Sequence, residues 1–178
     1  MYKFKTKTGK EITIRQPKMS DLKATLEYIN KLSKERTFIA AQGEEITLKE
    51  EKEWLVRIIK NEKHKKGVHL IAFHGNKLVS DAGIDLYDKV IKHTGEFGII
   101  VAKDFRGVGL GKLMTKLILE EAKRKLEGLK IVQLRAFSVN KKAINLYKKF
   151  GFREYGRLPR GIFYKGKYID DVLMYREM

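Results

Sequence analysis

The sequence predicts an α/β chain of the α+β kind, with one mixed, mostly antiparallel sheet of about seven strands and helices on both of its faces. Three observations predict it. Runs such as Glu11-Ile12-Thr13-Ile14-Arg15, Val68-His69-Leu70-Ile71-Ala72-Phe73 and Ile131-Val132-Gln133-Leu134-Arg135-Ala136-Phe137 have the length and pattern of strands. Longer stretches between them carry apolar residues at helical spacing. The order β-α-α-β-β-β-α-β-α-β-β places several strands in direct succession, which favours antiparallel pairs. A helix separates the strands around residues 95–137, which calls for a parallel piece there.

The elements follow in order. After the strand Glu11 to Arg15, Pro17 stops the extended run and Ser20 is the expected N-cap of a helix carrying Leu22, Leu26, Ile29 and Leu32 on one face. Residues Thr37 to Ile46 read as a loop. Thr47-Leu48-Lys49-Glu50 has capping-box spacing, and Trp54, Leu55, Ile58 and Ile59 form the apolar stripe of the helix behind it. The strand Val68 to Phe73 leads through a Gly75-Asn76 hairpin signal to a strand from Lys77 to about Asp85. Another strand runs from about Thr94 to Val101. The next helix carries Leu110, Leu113, Met114, Leu117, Ile118 and Ala122, with Gly128 as its expected stop. Ile131 to Phe137 is a buried-type strand. Asn140 is placed to cap a helix with Ala143, Ile144, Tyr147 and Phe150 on its inner face, closed by Gly151. Two last strands flank a Gly166-Lys167 turn.

A chain of 178 residues without linkers or repeats is expected to be one domain spanning residues 1–178. It has no apolar run near transmembrane length, and the basic N-terminus lacks the apolar segment of a secretory signal, so the expected location is the cytoplasm. The absence of cysteine excludes disulfides, thiolate metal sites and a cysteine nucleophile. The formal net charge is +17, but most of the 39 basic residues are lysines spread along the whole chain. That pattern favours a generally cationic, solvated surface over a dedicated nucleic-acid face.

Arg106-Gly107-Val108-Gly109-Leu110-Gly111 lies between the apolar run Phe97 to Val101 and the start of a helix. A glycine-rich turn from strand to helix suits a phosphate: glycine permits close approach and unusual dihedrals, and the first-turn amides and helix dipole favour an anion. The arginine adds a permanent cation. A dinucleotide fold fails on context, because the full Gly-x-Gly-x-x-Gly pattern and an opening βαβ unit are absent. A nucleoside-triphosphate loop fails because Leu113 follows Gly111-Lys112 where Ser or Thr is needed.

A second block, Asn140-Lys141-Lys142-Ala143-Ile144-Asn145-Leu146-Tyr147-Lys148-Lys149-Phe150-Gly151-Phe152, completes a recognisable set. With the element order, the two blocks resemble the GCN5-related N-acetyltransferase (GNAT) superfamily. The first is similar to its acyl-CoA pyrophosphate loop and the second to its Asn-x-x-Ala-x-x-Leu-Tyr-x-x-x-Gly-Phe motif. The resemblance runs from Ile12 to Met174 and implies the GNAT fold, acetyl-CoA as co-substrate, no metal, and direct acetyl transfer to an amine in a ternary complex. The implied acceptor is a protein N-terminus, a lysine or a small amine.

By the same resemblance, the backbone of Ile99, Ile100 and Val101 aligns the pantetheine arm and polarises the thioester. Arg106, Gly107, Val108, Gly109, Leu110, Gly111 and Lys112 hold the pyrophosphate, and Asn140 bonds the pantetheine. Tyr147 matches the general acid that protonates the departing thiolate; it also suits an aromatic packed on the core. Glu96 matches the general base acting through water; it also suits a solvent-facing strand position. Asp170, Asp171, Arg157, Arg160 and Tyr164 lie where the family lines its acceptor pocket, although two paired structural acids read equally well. Glu35 and Arg36 fall on the loop expected to roof that pocket. If the basic surface rims the cleft, it favours acidic or neutral acceptors over polycations. Family members are often homodimers, so a homodimer is compatible with the sequence. The rival reading is a catalytically inactive module of the same fold that binds CoA or nucleic acid.

Overall fold

The computed structural model describes residues 1–178. It contains four α-helices and an eight-stranded sheet with strand order β1-β2-β3-β4-β5-β6-β8-β7. The chain divides into two compact units, one formed by Met1–Asp85 with Gly98–Glu127, the other by Leu86–Phe97 with Gly128–Met178. No helix is long and apolar enough to cross a membrane.

The first unit holds β1 (Tyr2–Lys5), β2 (Glu11–Arg15), α1 (Leu22–Lys34), α2 (Leu48–Lys63), β3 (Gly67–His74), most of β4 (Lys77–Leu86), the second half of β5 (Thr94–Val101) and α3 (Leu110–Lys125). β1 is the eighth strand, one more than the sequence predicted. Its lysines hid an alternating pattern that pairs antiparallel with β2, Tyr2 opposite Ile14 and Lys5 opposite Glu11. Charged residues on an edge strand also discourage pairing with other chains. The Tyr2 hydroxyl donates to Glu121 Oε1 at 2.9 Å. β2 pairs antiparallel with β3, and β3 with β4 across the Gly75-Asn76 turn. Ile12 and Ile14 of β2, Ile71 of β3, Leu32 of α1, Leu55 and Ile58 of α2, and Leu110, Met114 and Ile118 of α3 are fully buried in the core.

Two helix ends differ from expectation. α1 begins at Leu22, after a 3-10 turn at Met19–Asp21, so Ser20 is not its cap. Asp21 organises the turn instead: it accepts the Lys18 amide at 2.7 Å and a bidentate pair from Arg15 at 2.7 Å each. Burial alone would raise the Asp21 pKa, but Arg15 and the Lys18 amide outweigh it and hold the value below the ordinary one. The Arg15 guanidinium also lies over the Phe73 ring. Because the Asp21 side chain is 7% exposed, Asp21→Asn is expected to cost about 1–3 kcal/mol near pH 7 by leaving Arg15 poorly matched. The cost should shrink as pH falls below Asp21's ordinary value, because a lowered folded pKa contributes stability only while the carboxylate is ionised. Thermal melts across that range check both statements. The second difference is at α3, which ends at Lys125, before Gly128; Leu126 closes it by donating to the Ala122 carbonyl. Gly128, with φ +79°, serves the turn that follows. The capping box of α2 forms as expected, Glu50 N–H to Thr47 Oγ1 at 3.3 Å and Thr47 N–H to Glu50 Oε2 at 2.8 Å.

The second unit holds the first half of β5, β6 (Ile131–Phe137), α4 (Lys141–Lys149), β7 (Arg153–Tyr164) and β8 (Lys167–Glu177). The expected parallel piece is present: β5 pairs with β6 over Thr94–Glu96 and Ile131–Gln133. The parallel ladder ends at that point, and β6 continues its pairing on its other edge, Leu134 opposite Met174 of β8. β6 pairs antiparallel with β8, and β8 with β7, whose register breaks between Leu158 and Ile162, around Pro159 and Arg160 with φ +59°. The last hairpin turns on Lys165-Gly166, one residue before the expected pair. Asn140 caps α4 by accepting the Ala143 amide at 3.3 Å. Gly151, with φ +83°, closes it in a Schellman arrangement, Phe152 N–H to Tyr147 O at 3.1 Å and Gly151 N–H to Lys148 O at 3.0 Å.

Candidate active site

In the first unit the site is built from the end of β5. The Ser80 hydroxyl donates to the Ile100 carbonyl at 2.8 Å and Ala102 N–H donates to Val79 O at 2.9 Å, so this register turns the backbone of Ile100 toward β4. Strand alternation then turns the backbone groups of Ile99 and Val101 to the other side. A 3-10 turn at Lys103–Phe105 follows, anchored by buried Phe105, and the chain then passes through Gly107 (φ +78°) and Gly109 (φ +95°). A Cβ added at Gly107 would meet nothing within 4 Å, so it is the backbone conformation, not space, that calls for glycine.

Gly109 is the left-handed N-cap of α3 and contributes no side-chain cap. The first helical bond runs from Leu113 N–H to Gly109 O at 3.1 Å. The amides of Leu110, Gly111 and Lys112 precede that bond and are the open donors of the helix end. Arg106, the permanent cation expected of the loop, has two partners that the loop's spacing does not show. Its Nε donates to the Val101 carbonyl at 2.8 Å and its terminal nitrogen to Glu35 Oε2 at 3.1 Å. The guanidinium therefore braces the end of β5 and ties Glu35, just past α1, to the loop.

In the second unit Glu96 is exposed, so the burial cost anticipated for a glutamate in an apolar run does not arise. Its Oε2 accepts from the Tyr87 hydroxyl at 2.9 Å, and the Tyr87 hydroxyl oxygen in turn accepts from Gln133 Nε2 at 2.7 Å. Burial raises the Tyr87 pKa; the Gln133 hydrogen bond opposes the rise and the Glu96 carboxylate adds to it. Tyr87 and Gln133 orient the glutamate, and neither carries a local sequence signal, since only strand pairing brings them to Glu96. Tyr147 is buried on the inner face of α4, its ring edge-on to Phe97 at 5.9 Å and to Phe152 at 6.1 Å. Desolvation pushes its pKa up to about 12. Asn140 uses its carbonyl oxygen for the α4 cap, a role that leaves its amino group outside the cap bond.

The two aspartates of β8 are ion-paired. Asp171 is fully buried against Arg135, whose Nε lies 2.7 Å from Oδ2. Asp170 accepts from Arg157 at 3.3 Å and from the Arg160 amide at 3.1 Å. Tyr164 packs edge-on to Phe137 at 5.3 Å. No group of three His, Cys, Asp or Glu side chains is placed to hold a metal ion.

The chain is similar in structure to an acetyltransferase of the GNAT family from Streptococcus pneumoniae, with a TM-score of 0.85 and 27% identity over 94% of this chain and 99% of that one. It shares its fold with a ribosomal-protein-alanine N-acetyltransferase from Brucella melitensis (TM-score 0.78, 23% identity, 93% and 99% of the two chains). The same is true of a provisional acetyltransferase from Salmonella typhimurium solved with its cofactor acetyl-CoA (TM-score 0.79, 19% identity, 93% of each chain). The model of the acetyltransferase (GNAT) family matches residues 26–152. With the glycine turn of β5–α3 and the Asn140–Phe152 block around α4 inside that match, the chain belongs to the GNAT family of acetyltransferases.

Proposed function

We propose that residues 1–178 act as one acetyl-CoA-dependent N-acetyltransferase domain that transfers the acetyl group directly to a primary amine. The observation that carries this reading is the end of β5. A strand runs through two positive-φ glycines into a 16-residue helix whose first amides are open, beside the backbone of Ile99 and Val101 turned away from β4. Amides of Gly107 to Lys112 would cradle the pyrophosphate, with the α3 dipole adding to the attraction. The thioester would lie along Ile99 to Val101, with the amino group of Asn140 on the pantetheine.

In the step itself, the amine nitrogen forms a bond to the acetyl carbon as the carbon–sulfur bond breaks. Glu96, oriented by Tyr87, takes a proton from the attacking nitrogen through water. Tyr147 gives its phenolic proton to the leaving sulfur and regains one afterwards. A phenol with a pKa near 12 keeps that proton at every pH at which the protein would work. Two of the fold relatives are named as ribosomal-protein alanine acetyltransferases, which favours a protein α-amino group among the acceptors.

A calorimetric titration of acetyl-CoA tests the reading. Micromolar binding competed by CoA is expected, followed by thiol release with an amine. A folded protein that binds neither acetyl-CoA nor CoA would overturn it.

A further inference from the structure

β4 places Asp81, Gly83 and Asp85 on one face of the sheet, opposite Ile71, His69 and Gly67 of β3. That face is covered by α2, whose Trp54 meets the His69 ring edge-on at 6.5 Å. The two aspartates differ in their partners. Asp85 is fully engaged, by Asn61 at 2.8 Å, Arg57 at 3.5 Å and His69 at 3.1 Å. Asp81 Oδ1 is sheltered from solvent and has no hydrogen-bond partner.

The hydroxyl of Tyr28, on α1, is likewise buried without a partner, in a residue only 8% exposed. Burial, with the Asp81 charge next in effect, drives the Tyr28 pKa well above its ordinary value, against the opposing Arg106 cation, which is itself paired with Glu35. Buried polar groups are rarely left unpaired, and each one costs stability. Two such groups together point to a ligand that supplies the missing bonds. A carboxylate oxygen and a phenolic oxygen are both satisfied by one N–H-rich cation. The neighbouring residue Ser80 holds the Ile100 carbonyl, and space is open beside Gly98, where an added Cβ would meet nothing within 4 Å.

A groove of about 990 Å³ runs along α2, its lining net basic, with Lys49, Lys52, Arg57, Lys60 and Lys66 against one carboxylate, Glu53. Arg57 and Asn61 connect it to Asp85. We propose that Asp81 and Tyr28 seat the ammonium group of the acceptor, and that the acceptor is a primary amine with one positive charge on a body that is uncharged or acidic. One unpaired carboxylate oxygen matches one ammonium. The lysine-lined groove repels a second cation and attracts carboxylates. This inference rests on the acetyltransferase reading above.

The test uses three probe amines with the full chain: an alanine-initiated peptide with glutamates at its second and third positions, the same peptide with lysines there, and spermidine. The acidic peptide is expected to show the lowest KM, by about tenfold, a difference that should narrow with added salt. Asp81→Asn is expected to raise its KM by about tenfold or more, with acetyl-CoA affinity unchanged. Its melting temperature near pH 8 should rise, because a strained carboxylate has been neutralised. A purely structural residue would move in the opposite direction. Tyr28→Phe, which keeps the ring, should raise the same KM several-fold and stands in if Asp81→Asn fails to fold. Parental KM values in the variants overturn the proposal, as does a preference for spermidine. Acetyl-CoA binding without transfer to any of the three amines overturns it too. Loss of acetyl-CoA binding in the parent strikes the acetyltransferase reading instead.

Discussion

Tyr147→Phe is expected to lower turnover by at least about tenfold while leaving acetyl-CoA affinity nearly unchanged, in line with the contribution of a positioned general acid. The substitution removes one oxygen and keeps the ring. The edge-on contacts with Phe97 and Phe152 survive, so folding is not expected to suffer. The hydroxyl has lost much of its hydration, which is why its pKa stands at about 12. An acid raised from 10.0 in this way holds its proton throughout the neutral range, and the linked stability is lost only as pH rises through about 10 to 12. No rate loss from ionisation of Tyr147 is therefore expected below about pH 10. Steady-state rates of thiol release for parent and variant across pH, with melting temperatures alongside, decide the matter. Equal turnover would remove Tyr147 from the mechanism and leave it as a core aromatic.

Gly109→Asp is expected to weaken acetyl-CoA binding by about a hundredfold, through two separable effects. At φ +95° any side chain strains the backbone, at a cost of about 1–2 kcal/mol. Space is not the obstacle, since an added Cβ would meet only the Phe4 ring at 3.7 Å. The larger effect is charge. A carboxylate at the N-cap of α3 can accept the same first-turn amides that the pyrophosphate needs, and it repels the phosphates as well. Gly109→Ala carries the strain without the charge, so the difference between the two variants in a calorimetric titration isolates the electrostatic part. Asp at an N-cap is otherwise favourable to a helix, so α3 itself should persist by circular dichroism. Unchanged affinity in Gly109→Asp would place the phosphates elsewhere.

Arg106 shows where local reading stops. As a cation beside a glycine turn it was expected to meet the phosphate directly. The fold also engages it with the Val101 carbonyl and with Glu35, a residue far away in the chain, and no spacing within the loop shows those partners. Under the proposed reading, the loop would hold an anion chiefly by its amides and the α3 dipole. Asp170 and Asp171 illustrate the same limit: adjacent acids in a strand fit a pocket lining as well as ion pairs. Only the β6–β8 and β7–β8 registers, which bring Arg135 and Arg157 to them, made them paired.

Sequence by itself determined the elements whose signals are local. The capping box at Thr47, the cap at Asn140, the Gly151 stop, the apolar stripes of the helices and the glycine turn at Gly107 and Gly109 depend on residues within a few positions of each other. Their physics is backbone conformation and first-turn hydrogen bonding. Sequence also predicted the parallel segment, because a helix between two buried-type strands leaves few other routes. Tertiary structure alone decided what depends on strand register and helix packing: the edge strand at Tyr2, Tyr87 and Gln133 around Glu96, the bracing of Arg106, and the unpaired Asp81 and Tyr28. Each of these is set by which distant residues meet and which polar atoms are left without partners after packing, and no spacing within one segment encodes that.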